Sequence, residues 1–230
     1  MEVAGGSGSS NDDKDPEREA WEKRYVNQYN DTVTLVVGEE RQEFHVNKTV
    51  LTQISPFFKA AFDGAWTESR SKTMELPDIE PILFAALIDW AYSGSIVSEH
   101  AVMGENYCLT VRSLVQLHII ADRFQIPALK NDTNDGIFES YEDLFKMDIS
   151  NLHDAFEKLP EDSTLQCLLV DMWTRGGSLV GTTIKLVESL PKMALRVINA
   201  YESGANANDR WNKHDYHENV RPVLSSYESE

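Results

Sequence analysis

Apolar residues change their period once along this chain, and that change limits what it can fold into. From Asp31 they alternate: Val33, Leu35 and Val37 fall on one side of an extended chain, with Thr32, Thr34 and Val36 on the other. That is the pattern of a strand with one buried face. The segment GEERQ reads as a turn, and EFHV as the second strand of a hairpin. After Lys48 the spacing lengthens to three and four, with Val50, Leu51 and Ile54 on one helical face. Ser55-Pro56 is a cap followed by proline at the first helical position. It opens a helix, FFKAAF, that Asp63-Gly64 should end. SKTMEL, closed by Pro77, suits a third strand. Strands early and helices afterwards give an α+β unit with an all-α extension.

The helices can be placed from their punctuation. Pro81 opens ILFAALIDWAY, whose only charge is Asp89, and Gly94 stands where a C-terminal glycine cap is expected. A helix apolar nearly all round is expected in the middle of a core. Val97 to Arg112 has no clear period and reads as a loop. Leu114, Leu117, Ala121 and Phe124 then trace one face as far as Ile126, and Pro127 starts a new helix. Leu152 with Phe156 and Leu159, then Leu165, Leu168, Leu169, Met172 and Trp173, then Met193 with Val197 and Tyr201, carry the helical period onward. Ahead of the first strand, Trp21, Tyr25 and Tyr29 recur at helical spacing and predict a short leader helix. Before it lie some fifteen Gly-, Ser-, Asn- and Asp-rich residues, which bury too little surface to order themselves. After Gly204 the chain is polar and is expected to be loose.

Charge excludes several partners. Thirty-eight acidic against twenty-one basic residues give a net charge of −17, and no Lys/Arg cluster interrupts it. Nucleic acid and anionic membranes are therefore not expected partners. Cys108 and Cys167 stand far apart without disulfide-framework or zinc spacing. No apolar run is long enough to span a membrane, and MEVAGGSGSSNDDKD lacks the basic and apolar regions of a signal peptide. A soluble, unprocessed, intracellular protein is expected, in the cytoplasm, the nucleus or both.

Three segments imitate binding motifs. Residues 131–142, NDTNDGIFESYE, put Asn131, Thr133, Asp135, Gly136, Ile137 and Glu142 where a calcium-binding EF-hand loop has its ligands and its glycine. Pro127 leaves no room for an entering helix, so the segment is read as a helix. Gly136, which costs about 1 kcal/mol in a helix interior, is explained by close packing. His214 and His217 could share a metal with Asp209 or Asp215, but their polar setting reads as a solvated tail. GGSLVG, residues 176–181, lacks the Gly-Lys-Ser/Thr ending of a phosphate loop and reads as a connection. No nucleophile elbow or HExxH is present. Neither an enzyme nor a bound cofactor or metal is expected.

Several pieces together resemble the BTB/POZ domain: EFHVNKTVLTQISPFFKAAFDGAWTES, then MELPDIEPILFAALIDWAYSGSI, then LVQLHIIADRFQIPALKN, over roughly Asp31 to Tyr141. The SPFF, W-x-E-S, W-x-Y-x-G and A-D-R-F-x-I-P-x-L elements look most like the form abundant in fungi. At the strand-to-helix motif, Phe44, His45, Val46, Asn47 and Lys48, an asparagine replaces the usual histidine; it can still hydrogen-bond a helix start. The resemblance implies a small β-sheet clustered with α-helices. The organisation becomes a disordered tail (1–16), a leader helix (17–30), the BTB/POZ domain (31–141), a helical extension (142–203) and a flexible polar tail (204–230).

It also implies a non-enzymatic interaction module that pairs with itself. Trp21 and Tyr25 are candidates for burial between subunits. Asp31 and Lys48 match a charged pocket near the dimer axis; the alternative is that Asp31 ends a turn and Lys48 is a solvated charge. Many family members recruit a cullin scaffold, some through a hydrophobic-x-acidic signature, whose form Val97-Ser98-Glu99 has, as chance also provides. An adaptor needs a second surface for a client, and here that falls to the helical extension. Two functions stay open: a substrate-recruiting adaptor of a cullin-RING ubiquitin ligase, and a structural or transcription-related scaffold without ubiquitin transfer.

Overall fold

A computed structural model of the chain describes residues 16–96, 109–145, 148–176, 186–202 and 212–218. Helix α1 (Pro16–Asn30) leads into the hairpin β1 (Thr32–Val37) and β2 (Gln42–Asn47). Helices α2 (Lys48–Ile54), α3 (Pro56–Asp63) and α4 (Thr67–Ser71) come next, then β3 (Thr73–Leu76) and α5 (Pro81–Ser93). Helices α6 (Val111–Arg123) and α7 (Pro127–Glu139) complete this part. Beyond it come α8 (Tyr141–Leu144), a 3-10 turn (Ile149–Leu152), α9 (His153–Lys158), α10 (Thr164–Gly176), α11 (Pro191–Glu202) and a 3-10 turn at Lys213–Tyr216.

The sheet runs in the order β2-β1-β3, with β1 antiparallel to β2 and parallel to β3. Val33 faces Val46 and Leu35 faces Phe44 on one side, while Leu35 and Val37 stand beside Met74 and Leu76 on the other. The alternating residues Val33, Leu35 and Val37 are fully buried, as their period requires. The hairpin turn works because Gly38 takes a φ of +75°, and a Cβ there would stand 3.0 Å from the Pro81 ring.

Caps end the helices where the sequence places them. Buried Ser55 accepts a hydrogen bond from the Phe58 amide at 3.1 Å, capping α3, and its hydroxyl donates to the Phe124 carbonyl at 2.5 Å. One side chain thus ties the start of α3 to the end of α6, where the rings of Phe57, Phe58 and Phe124 meet. Gly94 ends α5 at a φ of +72°.

Helix α5 departs from expectation. Leu83, Phe84, Leu87 and Trp90 are buried, but Ile82 and Tyr92 are 64% and 59% exposed, so it lines the core instead of lying inside it. Asp89 lies on this less buried side with Ile82 and Tyr92. Helix α7 takes up residues 131–139 of the EF-hand look-alike, Ser140 interrupts the helix, and the last two residues begin α8. A Cβ on Gly136 would lie 3.1 Å from Leu114 Cδ1, which is the close α6–α7 approach that the glycine permits.

Two hydrophobic clusters share α6. Leu117, Ile120 and Ala121 pack with the sheet, α3 and α5. Val111, Leu114 and Val115 pack with Ile137 of α7 and with the helices beyond residue 141. In that second cluster Gln166, 1% exposed, donates to the carbonyls of Ala155 and Leu159 at 2.9 and 3.1 Å. Its oxygen accepts from Arg196 at 2.6 Å, so one amide joins α9, α10 and α11.

His118, on α6, is buried with Nδ1 2.9 Å from the Thr133 hydroxyl. That hydroxyl donates to the Lys130 carbonyl, so the imidazole donates from Nδ1, and its buried Nε2 has no hydrogen-bond partner among the described residues. Burial, with the Lys130 charge adding to it, lowers the imidazole pKa from 6.5 to about 3. As pH falls below 6.5 the unfolded chain takes up the proton first, so stability is complete above 6.5 and is lost as pH falls toward the folded value. Unfolding titrations between pH 6.5 and about 4.5, above the range of most carboxylates, should lose close to 1.4 kcal/mol per unit at the steepest point. His118→Asn should flatten that slope; an unchanged slope would refute the assignment.

Candidate protein-interaction surfaces

The strand-to-helix junction builds a compact charged cluster. Asn47 ends β2 and caps α2, its side-chain oxygen accepting from the amides of Thr49 at 2.8 Å and Val50 at 3.4 Å. The asparagine in the histidine's place therefore does hydrogen-bond the helix start. Its own amide donates to the Tyr92 hydroxyl at the end of α5, at 3.2 Å. Beside it the Lys48 amide donates to the Asp31 carbonyl at 2.8 Å, which pins the two ends of the hairpin together.

Side chains extend that contact into a row of alternating charge. Lys72 reaches Asp31 at 2.6 Å, Asp31 lies 4.0 Å from Lys48, and Lys48 reaches Asp63 at 2.7 Å. Asp31 and Lys48 are thus brought together, but each has a closer partner of opposite charge. Asp63 and Lys72 are not among the residues that the sequence points to; they come from the end of α3 and the turn before β3. No sequence spacing announces them, because the parallel β1–β3 pairing is what carries Lys72 to Asp31. Lys48 is 23% exposed and Asp31 37%, so neither is a freely solvated charge.

Asp31 is the residue that joins α1 to β1, so this row begins where the leader helix ends. Trp21 and Val26 of α1 are both 56% exposed, and the helix carries a surface Arg18–Glu22 pair. The side chain of Tyr25 lies outside the described residues, as do Val97, Ser98 and Glu99. Comparison with known families decides what kind of domain this is: the BTB/POZ domain matches residues 26–140, half of the chain. The chain belongs to the BTB/POZ family.

Curated relatives of this BTB/POZ chain include mouse Kelch-like protein 30, 39% identical over 69 residues, and human Kelch-like protein 21, 34% identical over 98. The aligned regions cover 30% and 43% of this chain but only 12% and 14% of those proteins. Among solved structures, the BTB domain of zebrafish PATZ1 aligns with 53% of this chain and 86% of its own, at 22% identity and a TM-score of 0.37. The BTB domain of human gigaxonin aligns with 59% of this chain and 98% of its own, at 21% identity and a TM-score of 0.34. A BTB/POZ domain is a protein-interaction module, and the fold is α+β with a helical extension.

Other surfaces belong to the extension. On α11 Met193, Ala194 and Val197 face the core, while Leu195 is 61% and Ile198 37% exposed, with Val187 nearby in sequence at 48%. The helical period picks out the buried stripe and leaves this opposite one unmarked, although its spacing of three is visible in the sequence. The expected loose tail is also corrected in part: residues 212–218 are packed against α7 and α10, and Tyr216 is 6% exposed. Asparagines on α7 bond its main chain, which hydropathy cannot register. Among the described residues no group of three or more His, Cys, Asp or Glu could hold a metal ion, and no helix is long and apolar enough to cross a membrane.

The Asn47 cap is the checkable part of this geometry. Asn47→Ala should lower unfolding free energy by about 1 kcal/mol, read as a lower denaturant midpoint at unchanged slope. Asn47→Asp, which keeps an acceptor there, should leave the midpoint nearly unmoved.

Proposed function

We propose that the chain is a homodimeric BTB adaptor that recruits a client protein to a cullin-RING ubiquitin ligase. The observation that carries this reading is where large apolar side chains stay exposed. Trp66 stands by itself at the α3–α4 turn; the other exposed ones among the described residues fall in three regions. These are Trp21 and Val26 on α1, Ile82 and Tyr92 on α5, and Val187, Leu195 and Ile198 on the extension. Exposed apolar side chains in these regions are what contacts with other proteins would cover. An adaptor requires three such contacts: with its own copy, with the ligase scaffold and with the client.

On this reading each surface has one partner. Trp21 and Tyr25 on the leader helix, with Asp31 and Lys48 behind it, form the subunit interface. There the alternating charges can exchange partners across a two-fold axis without leaving one unpaired. Helix α5 and the loop after it, with Val97 and Glu99, face the cullin. The exposed stripe of α11, in the extension taken as residues 142–203, receives the client. The acidic charge of −17 keeps nucleic acid away from all three and fits an intracellular protein working in the cytoplasm, the nucleus or both.

Sedimentation at tens of micromolar, on the order of weak-dimer affinities, should give a dimer for the unaltered chain and a shift toward monomer for Trp21→Ala. A monomer throughout would remove the self-pairing. Calorimetric titration with the amino-terminal domain of the same organism's cullin should show saturable binding, weakened at least tenfold when Val97→Ala and Glu99→Lys are combined. No heat at several temperatures, from a protein shown to be folded, would instead establish the scaffold reading, in which complexes assemble without ubiquitin transfer.

A further inference from the structure

The stretch of α7 that imitates an EF-hand loop holds a piece of the chain itself. Residues 212–218, NKHDYHE, form a 3-10 turn capped at its own start: Asn212 accepts from the His214 amide at 3.0 Å and donates its amide to Asp215 at 3.2 Å. The turn lies across α7 and α10. A single side chain of the seven, Tyr216, is buried; its ring joins the core cluster and its hydroxyl donates to Asp171 on α10 at 2.7 Å. Burial, with the Asp171 carboxylate, pushes the phenol pKa well above its ordinary value, so the ring stays neutral at any physiological pH.

The remaining contacts run along one face of α7. Asn131 donates to the Glu218 carbonyl at 3.0 Å and accepts from the Glu218 amide at 2.7 Å, gripping one residue's main chain at both ends. One turn later Asn134 donates to the Tyr216 carbonyl at 2.8 Å. Main-chain bonds of this kind recognise a peptide's path and not its side chains. Charge then sets direction. Lys130 pairs with Glu218 at one end, while at the other Lys213 reaches Asp135 at 3.2 Å and Glu139 at 3.0 Å. His217 adds a bond to Asp135 at 2.8 Å. Burial opposes the charge of Lys130, but Asp122 and Glu218 outweigh it and keep the ammonium protonated.

We propose that α7 and α10 form a peptide-binding site closed in cis by residues 212–218, and that a partner segment of the same pattern opens it by displacement. The pattern is a basic residue, a tyrosine three positions on and an acidic residue two beyond that. An anchor of one ring with otherwise polar contacts makes an exchangeable ligand, because a competing peptide can replace every bond it breaks. Tethering gives the chain's own segment a high effective concentration, so the free protein is expected to be mostly closed.

A fluorescein-labelled peptide of residues 212–218 tests this by anisotropy with the full-length chain. It should bind the unaltered protein weakly and Tyr216→Ala at least tenfold more tightly, because that change releases the resident segment while leaving the groove intact. Adding Asn131→Ala and Asn134→Ala to Tyr216→Ala should remove the gain. Should Tyr216→Ala lose cooperative melting, Glu218→Lys, which repels Lys130 without emptying the ring pocket, decides in its place. Equal binding by the unaltered and released proteins, or none by either, would show that residues 212–218 are a fixed part of the core and overturn the proposal.

Discussion

Everything in this structure depends on α6 being buried on two sides. Leu117, Ile120 and Ala121 close the cluster under the sheet, and Val111, Leu114 and Val115, on the same thirteen residues, found the cluster under the extension. A helix that packs into two clusters must be satisfied locally at both ends. It is: Thr110 caps its start by accepting from the Ser113 amide, and Ser55 reaches the Phe124 carbonyl at its finish. The interior of α6 can then carry one buried imidazole, because Thr133 of α7 accepts its proton-bearing nitrogen. Helix α7 comes close enough to do so because Gly136 leaves no Cβ in the way of Leu114.

That arrangement joins the BTB fold to the helical extension. Ile137 of α7 belongs to the same cluster as Leu152, Phe156, Leu165, Leu168 and Met193, so apolar packing continues across the end of the family match at residue 140. The extension's own polar interior is centred on Gln166, whose amide and the guanidinium of Arg196 satisfy carbonyls at the end of α9 and in the turn after it. Buried polar groups bonded at every end hold helices at set angles, since any slip leaves a donor or acceptor unpaired in a dry interior. Surfaces displayed on α5 and α11 are therefore carried by one continuous packed body. Continuous packing of this kind fixes the distance between the two surfaces.

Much of the fold was legible locally. The period-two run at Val33–Val37, the Ser55-Pro56 cap, the proline starts at 81 and 127 and the glycine stop at 94 each act through a few neighbouring residues, and each is found in the structure. The reading of α5 failed because hydropathy records how apolar a helix is and not how much of it is covered; Ile82 and Tyr92 count the same whether they face a core or a partner. The charged row at the hairpin was half legible, since Asp31 and Lys48 sit in recognisable motifs. Asp63 and Lys72 were read only as part of a helix stop and a strand segment, and enter the row through strand pairing and the turn of α3. The packing of residues 212–218 was hidden for a different reason. Its bonds run to main-chain atoms, which every residue possesses, and its single anchor is an isolated tyrosine in a polar stretch.

The sequence by itself determined the order of strands and helices, their caps and the family, because periodicity and capping act over a turn or two of chain. Only the tertiary structure decided that one helix serves two cores, which charges meet at the hairpin, which apolar residues remain uncovered, and that α7 bonds the main chain of residues 216–218. Those outcomes rest on contacts between residues that are 15 to 87 positions apart, and no local pattern records the partner at the other end.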